Sequence, residues 1–160
     1  MAPDLRPFTP AHAALVARWP RSLDEVVKWC GEREFPLPVE RVVEWQQDAD
    51  VQAYLLITDD DLPIGYGELW LDAEEGEVEL ARIIIAPAAR GRGIGRMLVQ
   101  GLLAEAAKTG WSEVFMRVHP NNEAALRCYR GAGFAPVAAE LAEEWNIPQP
   151  FDYVWLRHQG

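Results

Sequence analysis

The stretch EVELARIIIAPAARGRGIGR, residues 77–96, decides the fold. Its first half, Glu77 to Ile85, is rich in β-branched residues and predicts a strand apolar enough to be central in a sheet. Its second half carries three glycines at alternate positions, Gly91, Gly93 and Gly95. Alternating glycines let a backbone approach a ligand closely, with its N–H groups pointing outward. The stretch therefore predicts a strand that leads into an anion-binding turn.

The segment after this turn predicts a long helix. Apolar residues recur from Ile94 to Ala106 at three- and four-residue spacing, and Gly110 stands where the helix should end. A second strand is predicted from Glu113 to Val118. Because a strand, a helix and a strand in this order require a crossover, the two strands should be parallel neighbours.

The glycine turn also has the charge that a pyrophosphate site requires. Its N–H groups would lie at the positive end of a helix that begins near Gly93. The turn carries three arginines: Arg90, Arg92 and Arg96. No Gly-Lys-Ser/Thr follows, and Arg96 replaces the third glycine of a dinucleotide fingerprint, so neither of those phosphate loops fits. The alternative is a tight turn that needs glycine for its geometry alone.

The remaining chain predicts strands and helices around this centre. Strands are expected at Val51–Thr58 and Ile64–Leu71, in an antiparallel meander with Glu77–Ile85, and at Leu5–Phe8, Phe134–Leu141 and Phe151–Arg157. Helices are expected at Ala11–Arg18, Ser22–Glu32, Val39–Asp48 and Asn122–Gly131, where Ser22 and Glu25 form a capping box. The fold class is therefore α/β, or α+β by some schemes: one domain over residues 1–160, with a mixed, mostly antiparallel central sheet and helices on both faces.

Composition excludes several classes of protein. The 160 residues carry a formal net charge of −10, which argues against a nucleic-acid-binding or acidic-membrane-binding surface. Two cysteines are too few for a disulfide framework, and no His/Cys/Asp/Glu cluster has the spacing of metal ligands. No apolar run is long enough to span a membrane. These properties predict a cytoplasmic protein with no resident metal.

Two motifs, which follow one another along the chain, resemble the conserved elements of the GNAT superfamily of acetyl-CoA-dependent N-acetyltransferases. The cofactor loop of that family, Arg/Gln-x-x-Gly-x-Gly/Ala, is matched by Arg90, Gly93 and Gly95. A second family element, Asn-x-x-Ala-x-x-x-Tyr-x-x-x-Gly-Phe, is matched by Asn122, Ala125, Tyr129, Gly133 and Phe134. The resemblance covers residues 77–137 firmly and the rest of the chain more loosely.

The resemblance implies acetyl-CoA as cofactor and CoA as product. The pantetheine arm would pair with the backbone of Ile83, Ile84 and Ile85, where two central parallel strands splay apart. The N–H of Ile85 would stabilise the oxyanion. Amides of the loop would hold the pyrophosphate; they belong to Gly91, Arg92, Gly93, Ile94, Gly95 and Arg96. The Asn122 side chain would hydrogen-bond the pantetheine, and Tyr129 would protonate or hydrogen-bond the leaving thiolate.

The base that deprotonates the acceptor is less directly indicated. Glu79 lies on the strand before the loop, where several family members place a catalytic glutamate. A regular strand would point Glu79 to the same face as Ile83 and Ile85. His119, at the end of its strand, is the next candidate, and a water chain is a third.

The acceptor is expected to be a primary amine, on a small molecule or a peptide N-terminus. Residues 42–81 contain twelve acids and no Lys or Arg. Glu68, Asp72, Glu77 and Glu79 lie on the strands that lead to the reaction centre, so a cationic amine is expected. A non-catalytic acyl-CoA-binding or sensing module is the alternative function, and a phosphoryl-transfer enzyme fits less well because its Lys and Mg²⁺ ligands are absent. Dimers are common in the family, so a homodimer is a further expectation.

Overall fold

The computed structural model describes residues 3–160 as a sheet flanked by helices. The strands are β1 (Asp4–Pro7), β2 (Val51–Ile57), β3 (Pro63–Asp72), β4 (Glu77–Ile85), β5 (Glu113–Val118), β6 (Phe134–Pro136) and β7 (Val154–His158). The helices are α1 (Ala13–Ala17), α2 (Leu23–Cys30), α3 (Val39–Trp45), α4 (Ile94–Ala107), α5 (Glu123–Gly131) and α6 (Ala139–Asn146).

The seven strands form one mixed sheet in the order β1-β2-β3-β4-β5-β7-β6. Strands β4 and β5 are parallel neighbours joined by α4, and the other neighbouring pairs are antiparallel. Strand β4 is the fourth of the seven and so lies at the centre. The prediction of a mostly antiparallel sheet with one parallel crossover pair is confirmed.

The helices of the N-terminal third are short. The Ser22 hydroxyl accepts the N–H of Glu25 at 3.2 Å, which is one half of the predicted capping box, while the Glu25 carboxylate accepts from Arg90 instead. Gly31, with φ of 75°, ends that helix in the left-handed conformation. The longest helix, α4, has 14 residues, and no helix within residues 3–160 combines the length and hydropathy needed to cross a membrane.

The chain after α5 departs from the prediction. The strand expected over Phe134–Leu141 stops at Pro136, and α6 follows it. Proline has no N–H to donate to a strand ladder, and the sequence AELAEE at residues 139–144 consists of good helix formers. The prediction of a continuous strand was wrong because it extended the β pattern through this proline.

The two faces of the sheet carry different cores. On the α4 face, Leu98 and Leu102 of α4 pack with Leu69, Leu80 and Met116. The opposite face receives α1, α2 and α3, whose buried side chains pack against Tyr66 and Ile84. We call this second side the tryptophan face, because Trp29, Trp45, Trp70, Trp145 and Trp155 contact one another or the ring of Tyr66, or stack with arginines there. Helices therefore cover both faces, as predicted.

A β-bulge changes the direction of the side chains along β4. Glu68 pairs with Ala81 and Tyr66 pairs with Ile84, so Gly67 alone lies opposite two residues, Arg82 and Ile83. Arg82 has φ of 49°, a conformation that side chains other than glycine rarely adopt. The extra residue shifts the alternation of β4 by one position at the point where this strand leaves β5.

Candidate functional site

A cleft of about 720 Å³ opens where β4 and β5 separate. The two strands pair from Glu77–Leu80 to Glu113–Met116, and beyond these residues β5 pairs only with β7. The cleft is lined by residues of α2, β4, the glycine loop and α5: Glu25, Lys28, Trp29, Ile83, Ile84, Ile85, Ala89, Arg90, Gly91, Gly93, Ile94, Gly95, Arg96, Asn122, Ala124, Ala125, Arg127, Cys128 and Tyr129. Apart from Arg92, Glu79 and the alternative base His119, every predicted site residue lies on its wall.

The glycine loop delivers free N–H groups to this cleft. Gly91 and Gly93 have φ of 77° and 76°, and a Cβ at either position would have no atom within 4 Å. Gly93 is the N-cap of α4, and the first bond of the helix runs from Met97 N to Gly93 O at 3.3 Å. The N–H groups before Met97 therefore lack helical partners and lie at the positive end of the helix dipole. This arrangement suits a diphosphate.

The Arg90 guanidinium on the cleft wall is bonded to acceptors of the protein itself. Its Nε donates to Ile85 O at 2.9 Å, and its two terminal nitrogens donate to the Glu25 carboxylate at 2.8 Å and to Trp19 O at 3.3 Å. Its own N–H bonds Pro87 O at 3.4 Å. These contacts tie the loop to α2 and to Trp19, which follows α1, and they weigh against the prediction that the Arg90 side chain meets phosphate. Arg92 and Arg96 remain as the cations of the loop.

Helix α5 and its N-cap Asn122 form a further part of the cleft wall. The Asn122 Oδ1 accepts the N–H of Ala125 at 3.3 Å and so caps α5. This bond uses one face of the side chain, and the Nδ2 amide is still able to donate to a ligand. A Cβ on Gly95 would lie 3.3 Å from the Cys128 sulfur, so a glycine lets α4 and α5 approach each other.

Tyr129 of α5 is buried at the inner wall of the cleft. Within residues 3–160 its hydroxyl has no hydrogen-bond partner. Burial raises the pKa of Tyr129 well above its usual range, and the neighbouring Cys128 adds to the shift. The phenol is thus a protonated group at neutral pH that can donate to a ligand atom in the cleft.

Strand β4 directs a backbone donor into the gap. Ala86 N bonds Ile64 O at 2.9 Å, and β4 continues the antiparallel register with Gly65 opposite Ile85. Because N–H groups along a strand alternate in direction, the N–H of Ile85 points away from β3 toward the gap. This is the position that the resemblance assigns to the oxyanion donor.

Glu79 lies on the other face of the sheet from Ile83 and Ile85, which are two of the β4 residues that line the cleft. It pairs with Trp70 before the bulge, whereas Ile85 pairs with Gly65 after it. The expectation that the three side chains share a face was wrong, because the bulge at Arg82 shifts the alternation. The Glu79 carboxylate is held by Arg117 through two hydrogen bonds, of 2.7 Å from Nε and 2.9 Å from Nη2.

One ring nitrogen of His119 already accepts a hydrogen bond. Its Nδ1 accepts the N–H of Asn121 at 3.2 Å, which leaves the proton of the neutral ring on Nε2. Burial lowers the pKa of His119, and the charge of Lys28 lowers it further. The ring is therefore neutral at physiological pH, with its basic nitrogen occupied.

A buried ion pair fixes the bulge from the tryptophan face. Glu68 is fully buried and accepts hydrogen bonds from the Tyr66 hydroxyl, from Trp70 Nε1 at 2.8 Å and from Arg82 Nη1 at 2.9 Å. The Arg82 guanidinium lies 4.1 Å from the ring centroid of Trp45 and 4.9 Å from that of Trp70. Its carbonyl accepts the Trp29 Nε1–H at 2.8 Å. These contacts compensate for the strained backbone of Arg82.

Helix α2 supplies wall residues that the sequence did not reveal. Glu25, Lys28 and Trp29 lie on the cleft. The capping box located the start of α2 but carried no information about its distance from the glycine loop. Within the described part of the chain, no group of three His, Cys, Asp or Glu residues is placed to hold a metal ion.

The chain belongs to the acetyltransferase (GNAT) family, whose model matches residues 19–134, more than two thirds of the sequence. Mycothiol acetyltransferase from Gordonia bronchialis is 44% identical over 71 residues, which cover 44% of this chain and 22% of that protein. Mycothiol acetyltransferase from Acidothermus cellulolyticus is 42% identical over 99 residues, covering 60% of this chain and 29% of that one. The chain therefore spans less than a third of the length of these two relatives.

Solved structures share the fold at low sequence identity. AAC(6')-Ib in complex with ribostamycin and coenzyme A superposes with a TM-score of 0.78 and 21% identity, over 99% of this chain and 94% of that one. Spermidine N-acetyltransferase from Vibrio cholerae, in complex with CoA and spermine, gives a TM-score of 0.72 and 19% identity, over 86% and 83% of the two chains. The predicted GNAT fold is confirmed.

Proposed function

We propose that this protein transfers an acetyl group from acetyl-CoA to a primary amine. The observation that carries the proposal is the cleft at the separation of β4 and β5, whose wall contains both the free amides at the start of α4 and Tyr129. Membership in the acetyltransferase family supports it. The residues fit the cofactor, since Arg92, Arg96 and the amides of Gly93 to Arg96 suit its phosphates, and the isoleucines of β4 suit its pantetheine arm.

Acetyl-CoA supplies an activated thioester in this scheme. The amine nitrogen forms a bond to the acetyl carbon, the carbon–sulfur bond breaks, the amine loses a proton and the thiolate gains one. The N–H of Ile85 stabilises negative charge on the acetyl oxygen. The Asn122 amide orients the pantetheine arm by hydrogen bonding.

Tyr129 is the proposed donor of the proton to the thiolate. It lies in the cleft wall, and its raised pKa keeps the phenol protonated at neutral and mildly alkaline pH. The same shift makes the phenol a weaker acid than the thiol, so it stabilises the departing sulfur chiefly by donating a hydrogen bond. General acids of this kind contribute about 10²–10⁴-fold in rate.

We assign removal of the amine proton to water rather than to a side chain. The Glu79 carboxylate is neutralised by Arg117, and the basic nitrogen of His119 is occupied by Asn121. The role of Glu79 as the base stays a prediction. Its pairing with Arg117 and its position on the other face of the sheet from Ile85 weigh against that role. With water as the acceptor, kcat/KM should rise with pH along the ionisation of the amine substrate.

Fewer acids than the sequence suggested now support the expectation of a cationic acceptor. Glu68 is paired with Arg82, and Glu79 with Arg117, two cations that lie far from those acids in the sequence. Asp72 and Glu77 keep the cationic preference that the sequence suggested. Relatives named for mycothiol, streptothricin and spermidine fit a small-molecule amine more closely than a peptide N-terminus.

A panel of amines tests the proposal, with release of free CoA thiol as the measurement. Cationic diamines and polyamines should be acetylated faster than anionic amino acids. A dianionic amine as best substrate would contradict the charge preference alone. Saturable CoA binding with no thiol release on any amine would instead favour a sensing module.

The salt dependence of CoA binding tests the cofactor residues. Affinity should fall as ionic strength rises, because Arg92 and Arg96 meet phosphates. Arg92→Gln and Arg96→Gln should each weaken binding and flatten the salt dependence. If neither change affected the calorimetric affinity, the phosphates would lie elsewhere.

A further inference from the structure

A second cavity, of about 250 Å³, lies on the tryptophan face outside the cofactor cleft. Aromatic rings of Trp70, Phe115, Trp145 and Trp155 line it, together with the carboxylates of Asp72, Glu77 and Glu79. Pockets that enclose drug-sized molecules measure about 300–1,000 Å³, so this cavity is suited to one chemical group rather than to a large ligand.

The aromatic walls are held in place before any ligand arrives. The Trp145 ring meets Phe115 and Trp155 edge to face, with centroids 5.0 Å and 5.1 Å apart. Trp155 Nε1 donates to Asn146 Oδ1 at 2.8 Å, and Trp70 Nε1 donates to Glu68 at 2.8 Å. Preformed ring faces of this kind attract cations through their quadrupoles.

Two carboxylates of the cavity are left without a matching cation. Arg117, which lies over the rings of Trp70 and Trp155, is paired with Glu79. Asp72 and Glu77 form no ion pair within residues 3–160. They lie directly opposite each other on β3 and β4, an arrangement in which like charges destabilise a sheet.

The surroundings of Glu77 concentrate negative charge at this end of the cavity. Burial raises the pKa of Glu77, and the charges of Asp72, Glu75 and Glu113 raise it further. Arg157 lowers the pKa of Glu77, but its guanidinium lies over the Phe115 ring and near Glu113. A bound cation would relieve the repulsion between Asp72 and Glu77.

We propose that this cavity binds the ammonium group of an organic cation. Aromatic walls hold an alkylammonium group better than a strongly hydrated metal ion, because its methyl or methylene groups pack on the rings while the carboxylates match its charge. This proposal rests on the charge preference proposed for the acceptor, since it uses the same Asp72 and Glu77. Choline has no N–H group to acetylate, so its binding tests the cavity separately from the transfer reaction.

Choline and its neutral isostere, 3,3-dimethylbutan-1-ol, provide the test on the full chain. Indole N–H shifts in NMR spectra and tryptophan fluorescence should report saturable binding of choline. Glu77→Gln and Trp145→Leu should each weaken it by about tenfold, the loss of one charge or one ring contact. Glu74→Gln, which removes an exposed acid of the same turn, is the matched control and should bind choline as the unaltered protein does.

CoA affinity serves as the folding control for every variant, because the cofactor cleft shares none of these residues. Equal affinities for choline and its isostere would overturn the proposal, since the cavity would then recognise shape without charge. Absence of choline binding, or unchanged binding in Glu77→Gln, would overturn it as well. If Trp145→Leu failed to fold, the Glu77→Gln comparison with Glu74→Gln would still decide the question.

Discussion

The cofactor cleft and the tryptophan face are built by different means. The anion site of the cleft takes its donors from the backbone of one contiguous segment, in which two glycines hold left-handed φ angles and α4 begins. The tryptophan face takes its charges from side chains that are far apart in sequence, as in Arg117 with Glu79 and Arg82 with Glu68. A backbone site depends on conformation and a side-chain site on partners, so each should fail under a different kind of substitution.

The largest effect is expected from Gly93→Val. A branched side chain at φ of 76° strains the backbone that presents the free amides of α4. CoA binding should fall below detection in calorimetry. Gly110→Val is the matched control, because Gly110 has φ of 77° and equally open space around a Cβ added there, but is not part of the cleft wall. Both variants should lose about 1–2 kcal/mol of stability, and unaltered CoA affinity in Gly93→Val would remove this loop from the cofactor site.

Tyr129→Phe should lower kcat by about 10²–10⁴-fold while leaving CoA affinity intact. The ring still fills the cleft wall, and the missing proton cannot be restored by alkaline solution. Tyr54→Phe, a tyrosine on β2 outside the cleft, should retain full kcat. Full activity in Tyr129→Phe would mean that the thiolate takes its proton from solvent.

Arg82→Ala should destabilise the protein by about 3–5 kcal/mol, because the fully buried Glu68 would lose its cation. Chemical denaturation measures the change. Arg6→Ala is the control, since its pair with Asp61 is exposed and exposed pairs contribute about 0–1 kcal/mol. Similar losses in both variants would show that the pairing of Glu68 contributes little.

Glu79→Gln should have the smallest effect on chemistry. The amide keeps one hydrogen bond to Arg117, so we expect a stability loss of about 1–3 kcal/mol and a pH profile of kcat parallel to that of the unaltered protein. A defect that is largest near neutrality and shrinks as pH rises would restore Glu79 as the base. Comparing the kcat values of Glu79→Gln and Tyr129→Phe with the same acceptor shows which of the two residues takes part in the reaction.

The same contrast explains what the sequence could predict. The bounds of β4 and β5, the start of α4 and the cap of α2 follow from local patterns of apolar residues, glycines and caps. The partners of Glu79 and Glu68 lie 38 and 14 residues away, and no local pattern identifies them. A single inserted residue at Arg82 reversed the predicted side of Glu79, because strand alternation carries every such error forward.

Both ends of the sheet carry a consequence for self-association. The outermost strands, β1 and β6, have four and three residues, and each ends in a proline, Pro7 and Pro136. Short edge strands that contain proline offer few free N–H and C=O groups to a neighbouring chain. A homodimer of this protein, if it forms, should therefore associate through helices or loops, and the edges themselves protect the folded chain against strand-to-strand aggregation.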